Sequence, residues 1–125
     1  MALEASPQDP ALIYMSFPGE ASGFYPVAGT SEATPLFAGI VAVADQVAGT
    51  PLGLLNPALY ALGLARAPGL IDVRSGGNSV AFLQGGRRYS VTGWNAQRGF
   101  DLASGWGTIN GAKLVAELAA RLRPG

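Results

Sequence analysis

Histidine and cysteine are both absent from this chain of 125 residues. Without histidine there is no usual general base for a serine or cysteine hydrolase, and the commonest transition-metal ligand is missing. Any catalysis must run on carboxylates, lysine, tyrosine or backbone groups. Without cysteine there can be no disulfide, thiolate zinc site or cysteine nucleophile, although the compartment stays open because many exported proteins lack disulfides. Charge is scarce as well: Lys and Arg number 8, Asp and Glu number 8, and the net charge is zero. No cluster of one sign stands out, so nothing points to nucleic acid or an anionic membrane as a partner. The longest apolar run, Pro35 to Ala48, is interrupted by Asp45 and Gln46 and falls short of the roughly 20 residues that cross a bilayer. Met1 to Pro10 has neither a basic n-region nor an apolar h-region and does not read as a signal peptide.

What remains is an apolar chain, 49% hydrophobic and rich in glycine, with enough material for one core and a single compact unit as the default. Ala11 to Phe17 is a short apolar run between Asp9-Pro10 and Pro18-Gly19, the pattern of a strand bracketed by turns. Gly23 to Ala28 predicts a second extended segment, limited by Pro26, which cannot donate to a ladder. From Ser31 the period changes. Thr34-Pro35 suits a first helical turn, and Leu36 to Val47 follows with Gly39 as its one breaker. Apolar residues cover every face of that helix, so it belongs inside a larger α/β body.

Asn56-Pro57 opens a second helix, with Asn56 placed as its N-cap. Leu70 to Val73 predicts a brief extended run, and Val80 to Leu83 with Tyr89 to Thr92 a hairpin around Gln84-Gly85-Gly86-Arg87. Gly93 to Gly111, dense in glycine and aromatics, has the composition of tightly turned loop. Ala112 to Arg123 is amphipathic, with Leu114, Val115, Leu118, Ala119 and Leu122 on one side and Lys113, Glu117 and Arg121 on the other.

Gly29-Thr30-Ser31 places a hydroxyl at a helix entry, where the helix's positive end and its unpaired N–H groups face whatever the oxygen attacks. The competing interpretation is that Ser31 merely caps the helix. Gly-Thr-Ser-x-x-x-Pro before an apolar helix resembles the nucleophile segment of the subtilisin-like clan, and Ser31 and Pro35 have that spacing. Two further motifs, Ile71-Asp72-Val73 and Gly99-Phe100-Asp101 followed by Ser104-Gly105-Trp106-Gly107-Thr108-Ile109-Asn110, follow in the order of the sedolisins, the serine-carboxyl peptidases of that clan. The resemblance covers most of the chain. It implies an α/β fold, the C-terminal part of a subtilisin-like parallel-sheet domain, with residues 1–125 forming a partial peptidase domain. A buried helix would follow the nucleophile Ser31, and a calcium loop would lie near the end.

By that resemblance one calcium ion is held by the carboxylates of Asp72 and Asp101 and by the carbonyls of Val73, Gln97 and Gly99, an all-oxygen shell suited to a hard cation. Gln97 stands where the family usually has glycine. A register through Gly93-Trp94-Asn95 would put an amide in place of the second carboxylate and spoil the spacing to Gly105-Trp106-Gly107. The other reading of Asp72 and Asp101 is ordinary turn capping.

The family's mechanism, as implied, replaces histidine by a glutamate supported by an aspartate, with a further aspartate at the oxyanion, all upstream of the matched region. Glu32 adjoins Ser31, but neighbouring helical residues diverge, and Glu20 and Asp45 have no spacing argument. The implied function is therefore a serine-type endopeptidase acting on protein or peptide substrates, inactive alone and completed by an N-terminal portion. An extracellular location follows from the family alone. The alternatives are a non-catalytic, calcium-stabilised binding or structural module, or a small α/β domain unrelated to peptidases. A partial domain should also expose apolar surface along the Pro35 to Ala48 helix and associate when isolated.

Overall fold

A computed structural model of the chain describes residues 1–6 and 8–122. Strands β1 (Ala11–Met15) and β2 (Gly23–Val27) precede helices α1 (Thr30–Ala48) and α2 (Asn56–Leu64). Then come β3 (Leu70–Ile71), β4 (Val80–Gln84), β5 (Arg87–Val91), β6 (Thr108–Ile109) and helix α3 (Gly111–Leu122). The chain divides into two units, one of Leu3–Val43 and one of Met1–Ala2 with the residues from Ala44 onward.

In the Leu3–Val43 unit, β1 and β2 pair antiparallel from Ala11↔Val27 to Met15↔Gly23. Tyr14 and Phe24, directly opposite, meet edge to face with ring centroids 5.3 Å apart. Pro26 is tolerated because β2 is an edge strand of a two-stranded sheet. The strand ends at Met15 rather than at the predicted Phe17, since Ser16 onward turns back toward Ser22, with the two hydroxyls 2.9 Å apart. Leu12, Tyr14 and Phe24 remain well exposed.

In the other unit the core is aliphatic: Leu52, Ala58, Leu59, Leu62, Leu114, Leu118 and Ala119 are buried together with Ala44 and Ala48 from the end of α1. Asp45 fixes the exit of α1 by accepting from the N–H of Leu52 at 2.9 Å. Glu117, on the polar side of α3 in sequence, reaches back to accept from the N–H of Gly69 at 3.1 and 3.2 Å, tying α3 to the turn before β3. Asn110 caps α3: its carbonyl accepts from Leu114 and its Oδ1 from Lys113. Arg123, the predicted end of this helix, lies outside the described residues. The β4–β5 hairpin turns on Gly85 (φ 57°) and Gly86 (φ 75°), the double positive φ of a two-residue type I′ loop.

Two expectations are corrected. Asn56 is not the N-cap of α2: Leu55 holds that place, its carbonyl accepting from Leu59 at 2.9 Å with no side-chain cap, and Pro57 follows in the first turn. Among the described residues all three sheets are two-stranded and antiparallel, and the parallel sheet expected of the whole domain is not among them. A parallel pair needs a strand on each side of a crossover, and α1 leads into a second helix instead of a strand. Nor is α1 the buried helix expected after Ser31: among the described residues only Glu32, Ala44 and Ala48 of it are buried, and Leu36, Val43 and Val47 are about half exposed, near 50%. Among the described residues no helix is long and apolar enough to cross a membrane.

Candidate functional site

The predicted site residues fall into the two units. Ser31 belongs to the Leu3–Val43 unit, whereas Asp72, Val73, Gln97, Gly99 and Asp101 lie in the other.

Ser31 is the second residue of α1, which starts one residue earlier than expected, at Thr30. The Gly29 carbonyl opens the helix by accepting from Glu32 at 2.9 Å and from Ala33 at 3.2 Å, while Thr34 Oγ1 donates to the Thr30 carbonyl at 2.7 Å. The Ser31 hydroxyl takes no hydrogen bond among the described residues and the side chain is exposed. A capping serine would hold the N–H of a residue two or three positions on; Ser31 does not. Its oxygen stands free at the positive end of a helix of 19 residues. Glu32 diverges from it as adjacency requires and is only 6% exposed, with Oε2 unpartnered among the described residues.

The second constellation is built on loops. β3 pairs with β6 through Leu70↔Ile109 and Ile71↔Thr108, and Asp72 follows directly. Gly107, at φ 87°, comes so close to this strand that a Cβ there would overlap the Ile71 carbonyl oxygen. Both Asp72 oxygens accept from the N–H of Gly99 at 3.2 Å, and Oδ2 also takes Nε of Arg74 at 2.9 Å. Asp101 is 3% exposed. Its Oδ2 accepts from the N–H of Gln97 at 3.0 Å, and its Oδ1 from Ala103 at 2.9 Å and Ser104 at 2.6 Å. Buried Ser104 adds its hydroxyl at 3.1 Å to both oxygens.

The loop of residues 97–99 is thus held at both ends by carboxylates. The Gly99 N–H, followed by the Arg74 guanidinium, holds Asp72 below the usual carboxylate value, with the Asp101 charge acting weakly in the opposite sense. The N–H groups of Gln97 and Ser104 do the same for Asp101. Both groups are therefore kept ionised within reach of each other's charge.

Asp72 and Asp101 both accept from the loop of residues 97–99, and carboxylate and carbonyl oxygens are the donors a hard cation takes. No group of three or more Asp, Glu, His or Cys able to hold a metal occurs among the described residues, so backbone oxygens would have to complete a shell. The segment of the other register, Gly93-Trp94-Asn95, is paired along its backbone. Residues 93–96 ladder with 76–79, through Asn78 N–H to the Trp94 carbonyl at 3.0 Å and Ala96 N–H to the Gly76 carbonyl at 2.9 Å.

Arg74 and Ser104 carry no motif in the sequence that marks them as partners of these carboxylates. The signal for Arg74 was its position two residues beyond Asp72 on an extended segment, which puts both side chains on one face. Nor was the aromatic trio foreseen: Trp106 meets Phe100 at 5.4 Å and Tyr60 at 6.1 Å between centroids, and lies against the Cα of Gly63.

The chain thus carries a free serine opening an apolar helix and, separately, a two-carboxylate loop on a mixed α/β framework. Comparison with known proteins supplies the family. The chain is 38% identical over 96 residues to a protein named tripeptidyl-peptidase SED4 from Arthroderma otae, covering 67% of this chain and 15% of that protein. It is 34% identical over 91 residues to sedolisin from Pseudomonas sp., covering 72% of this chain and 14% of the relative. It is 36% identical over 93 residues to kumamolisin from Bacillus sp., covering 74% and 15%. The chain belongs to the sedolisin family, and it spans about 15% of the length of these relatives. No family model and no solved structure matches it.

Proposed function

We propose that this chain supplies the nucleophile segment and the calcium loop of a sedolisin-type serine-carboxyl peptidase acting on proteins or peptides. Its general base, a glutamate backed by an aspartate, and its oxyanion aspartate come from a preceding portion of the domain. The observation that carries this reading is the Ser31 hydroxyl, exposed and uncommitted at the first turn of α1. Ser31 Oγ is the attacking atom. The N–H groups of the first turn, unpaired at any helix start, favour negative charge beside it. Removal of the serine proton needs a carboxylate that this chain does not place there, so the chain alone leaves the hydroxyl weakly nucleophilic.

The loop is assigned one calcium ion, held by the carboxylates of Asp72 and Asp101 and the carbonyls of Val73, Gln97 and Gly99. The ion would neutralise the carboxylate pair and cross-link the end of β3 to the loop of residues 97–101. Family membership makes an extracellular or other acidic location the natural one.

Two experiments separate the parts of this reading. Hydrolysis of a peptide substrate at acid pH is measured for the chain alone and for the chain co-expressed with the preceding portion of a sedolisin-family peptidase. The expected result is turnover only in the complemented sample and none with Ser31→Ala. Turnover by the isolated chain that survives Ser31→Ala would refute the role of Ser31. Calcium titration of the purified chain should show saturable binding that Asp101→Ala abolishes. Such binding without any complementation of activity would leave the calcium-stabilised, non-catalytic module in its place.

A further inference from the structure

Next to the two-carboxylate loop, in the same unit, lies a cavity of about 490 Å³. Arg66, Arg74 and Arg98 line it together with Asp72, Phe100 and Trp106. Three arginines and one aspartate around it give the lining an excess of two positive charges, in a chain with no net charge. Arg74 is committed to Asp72. The guanidinium groups of Arg66 and Arg98 have no hydrogen-bond or ion-pair partner among the described residues. Arg66 itself is fixed by the end of α2: it follows the C-cap Ala65 at φ 52°, its N–H donating to the Gly63 carbonyl and that of Ala67 to the Leu62 carbonyl, the left-handed close of a helix. The facing wall is aromatic, with Phe100 and Trp106 in edge-to-face contact.

Unpaired guanidiniums present planar forks of N–H donors that match a carboxylate two bonds at a time, and the aromatic wall offers area to an apolar group. A bare inorganic anion would use the first feature and leave the second empty. We propose that this cavity binds a carboxylate carried on an apolar or aromatic group, with Arg66 and Arg98 holding the carboxylate and Phe100 and Trp106 receiving the apolar part. A peptide C-terminus with an apolar last residue is the source a peptidase would present; that clause rests on the proposed function, whereas the chemistry of the cavity does not.

The test is a titration of the full chain with N-acetylphenylalanine in the presence of EGTA, followed by calorimetry and by the backbone NMR shifts of residues 98–106. Saturable binding is expected, at least about tenfold weaker for N-acetylphenylalaninamide, which keeps the ring and loses the charge. Arg66→Gln with Arg98→Gln should cost a similar factor, and Arg121→Gln on α3 none. Arg66 and Arg98 are exposed, so circular dichroism should stay unchanged, and Arg98→Gln alone serves if the double variant does not fold. Equal binding of acid and amide, binding that survives loss of the arginines, or no saturation by a folded chain would overturn the proposal. Benzoate binding as tightly as N-acetylphenylalanine would overturn the peptide source and leave the carboxylate site standing. Ser31→Ala should bind like the parent chain, so failure of the peptidase reading is scored separately.

Discussion

Gly107→Ala tests how the carboxylate loop is held. Gly107 adopts φ 87°, and an added Cβ would overlap the carbonyl oxygen of Ile71 and lie 2.9 Å from the N–H of Val73. Left-handed backbone costs an alanine roughly 1–2 kcal/mol. The overlap is with backbone of the neighbouring strand, which no side-chain rotation can relieve. Relief requires β3 and β6 to part, endangering the pairing at Ile71↔Thr108 and the bond from the Ala2 N–H to the Gly107 carbonyl, each worth about 1 kcal/mol. The sum is about 3–4 kcal/mol.

Gly86→Ala is the matched control, with φ 75° and nothing within 4 Å of the added carbon, so it carries the backbone cost alone. Gly39→Ala, in the interior of α1 with open space around it, should stabilise by about 0.5–1 kcal/mol. Urea unfolding followed by tryptophan fluorescence reads the unit that holds Gly86 and Gly107, since Trp94 and Trp106 both lie in it, whereas Gly39 lies in the other unit and is read by circular dichroism. Submicromolar chain limits association through exposed apolar faces. Gly107→Ala should also weaken calcium binding, because Asp72 follows β3 directly. If Gly107→Ala and Gly86→Ala unfold within about 0.5 kcal/mol of each other, the close approach of β3 and Gly107 is not a constraint and the reasoning fails.

Acid should loosen the same loop. Asp72 and Asp101 both sit below their ordinary value of 3.8 in the folded chain, so the unfolded chain binds protons first and stability rises with pH. Their contribution is complete well above 3.8 and is lost as pH falls through that value toward the lower folded ones. The urea midpoint measured from about pH 6 to about pH 3 should fall, and Asp101→Asn should flatten the curve. Arg74→Gln removes the guanidinium that holds Asp72 Oδ2 and should tighten calcium several-fold in a titration, because the ion no longer displaces an internal cation; unchanged or weaker binding would count against Asp72 as a ligand. Leu118→Ala, at a fully buried position on α3, should cost about 2–5 kcal/mol in the same urea assay, and a loss below about 1 kcal/mol would mean that the site collapses around the cavity.

The parts legible in the sequence were those fixed by local chemistry. Gly85-Gly86 announced a hairpin because two successive positive φ values suit glycine, and the structure turns there. The apolar run from Leu36 announced a helix, and the likeness of Ser31 and Pro35 to a nucleophile segment agrees with the family found by comparison. What escaped was set by partners distant in sequence or by geometry finer than a residue type. Asn56-Pro57 marked the right helix but the wrong cap, since the cap is decided by which carbonyl meets the Leu59 N–H, and Leu55 lies one residue nearer the preceding turn. Asn110 was read as loop because its capping role shows only once α3 begins beside it. Glu117 was assigned to a solvent face by periodicity, yet its carboxylate is used against Gly69 across 48 residues of sequence. Arg66, Arg74 and Arg98 were unremarkable singly; only the fold brings them to the lining of one cavity and leaves two of their guanidiniums without a counter-ion. The catalytic reading rests on a local motif, and the arginine cavity rests wholly on tertiary structure. For that reason the carboxylate titration and the complementation assay probe independent links, and neither result can stand in for the other.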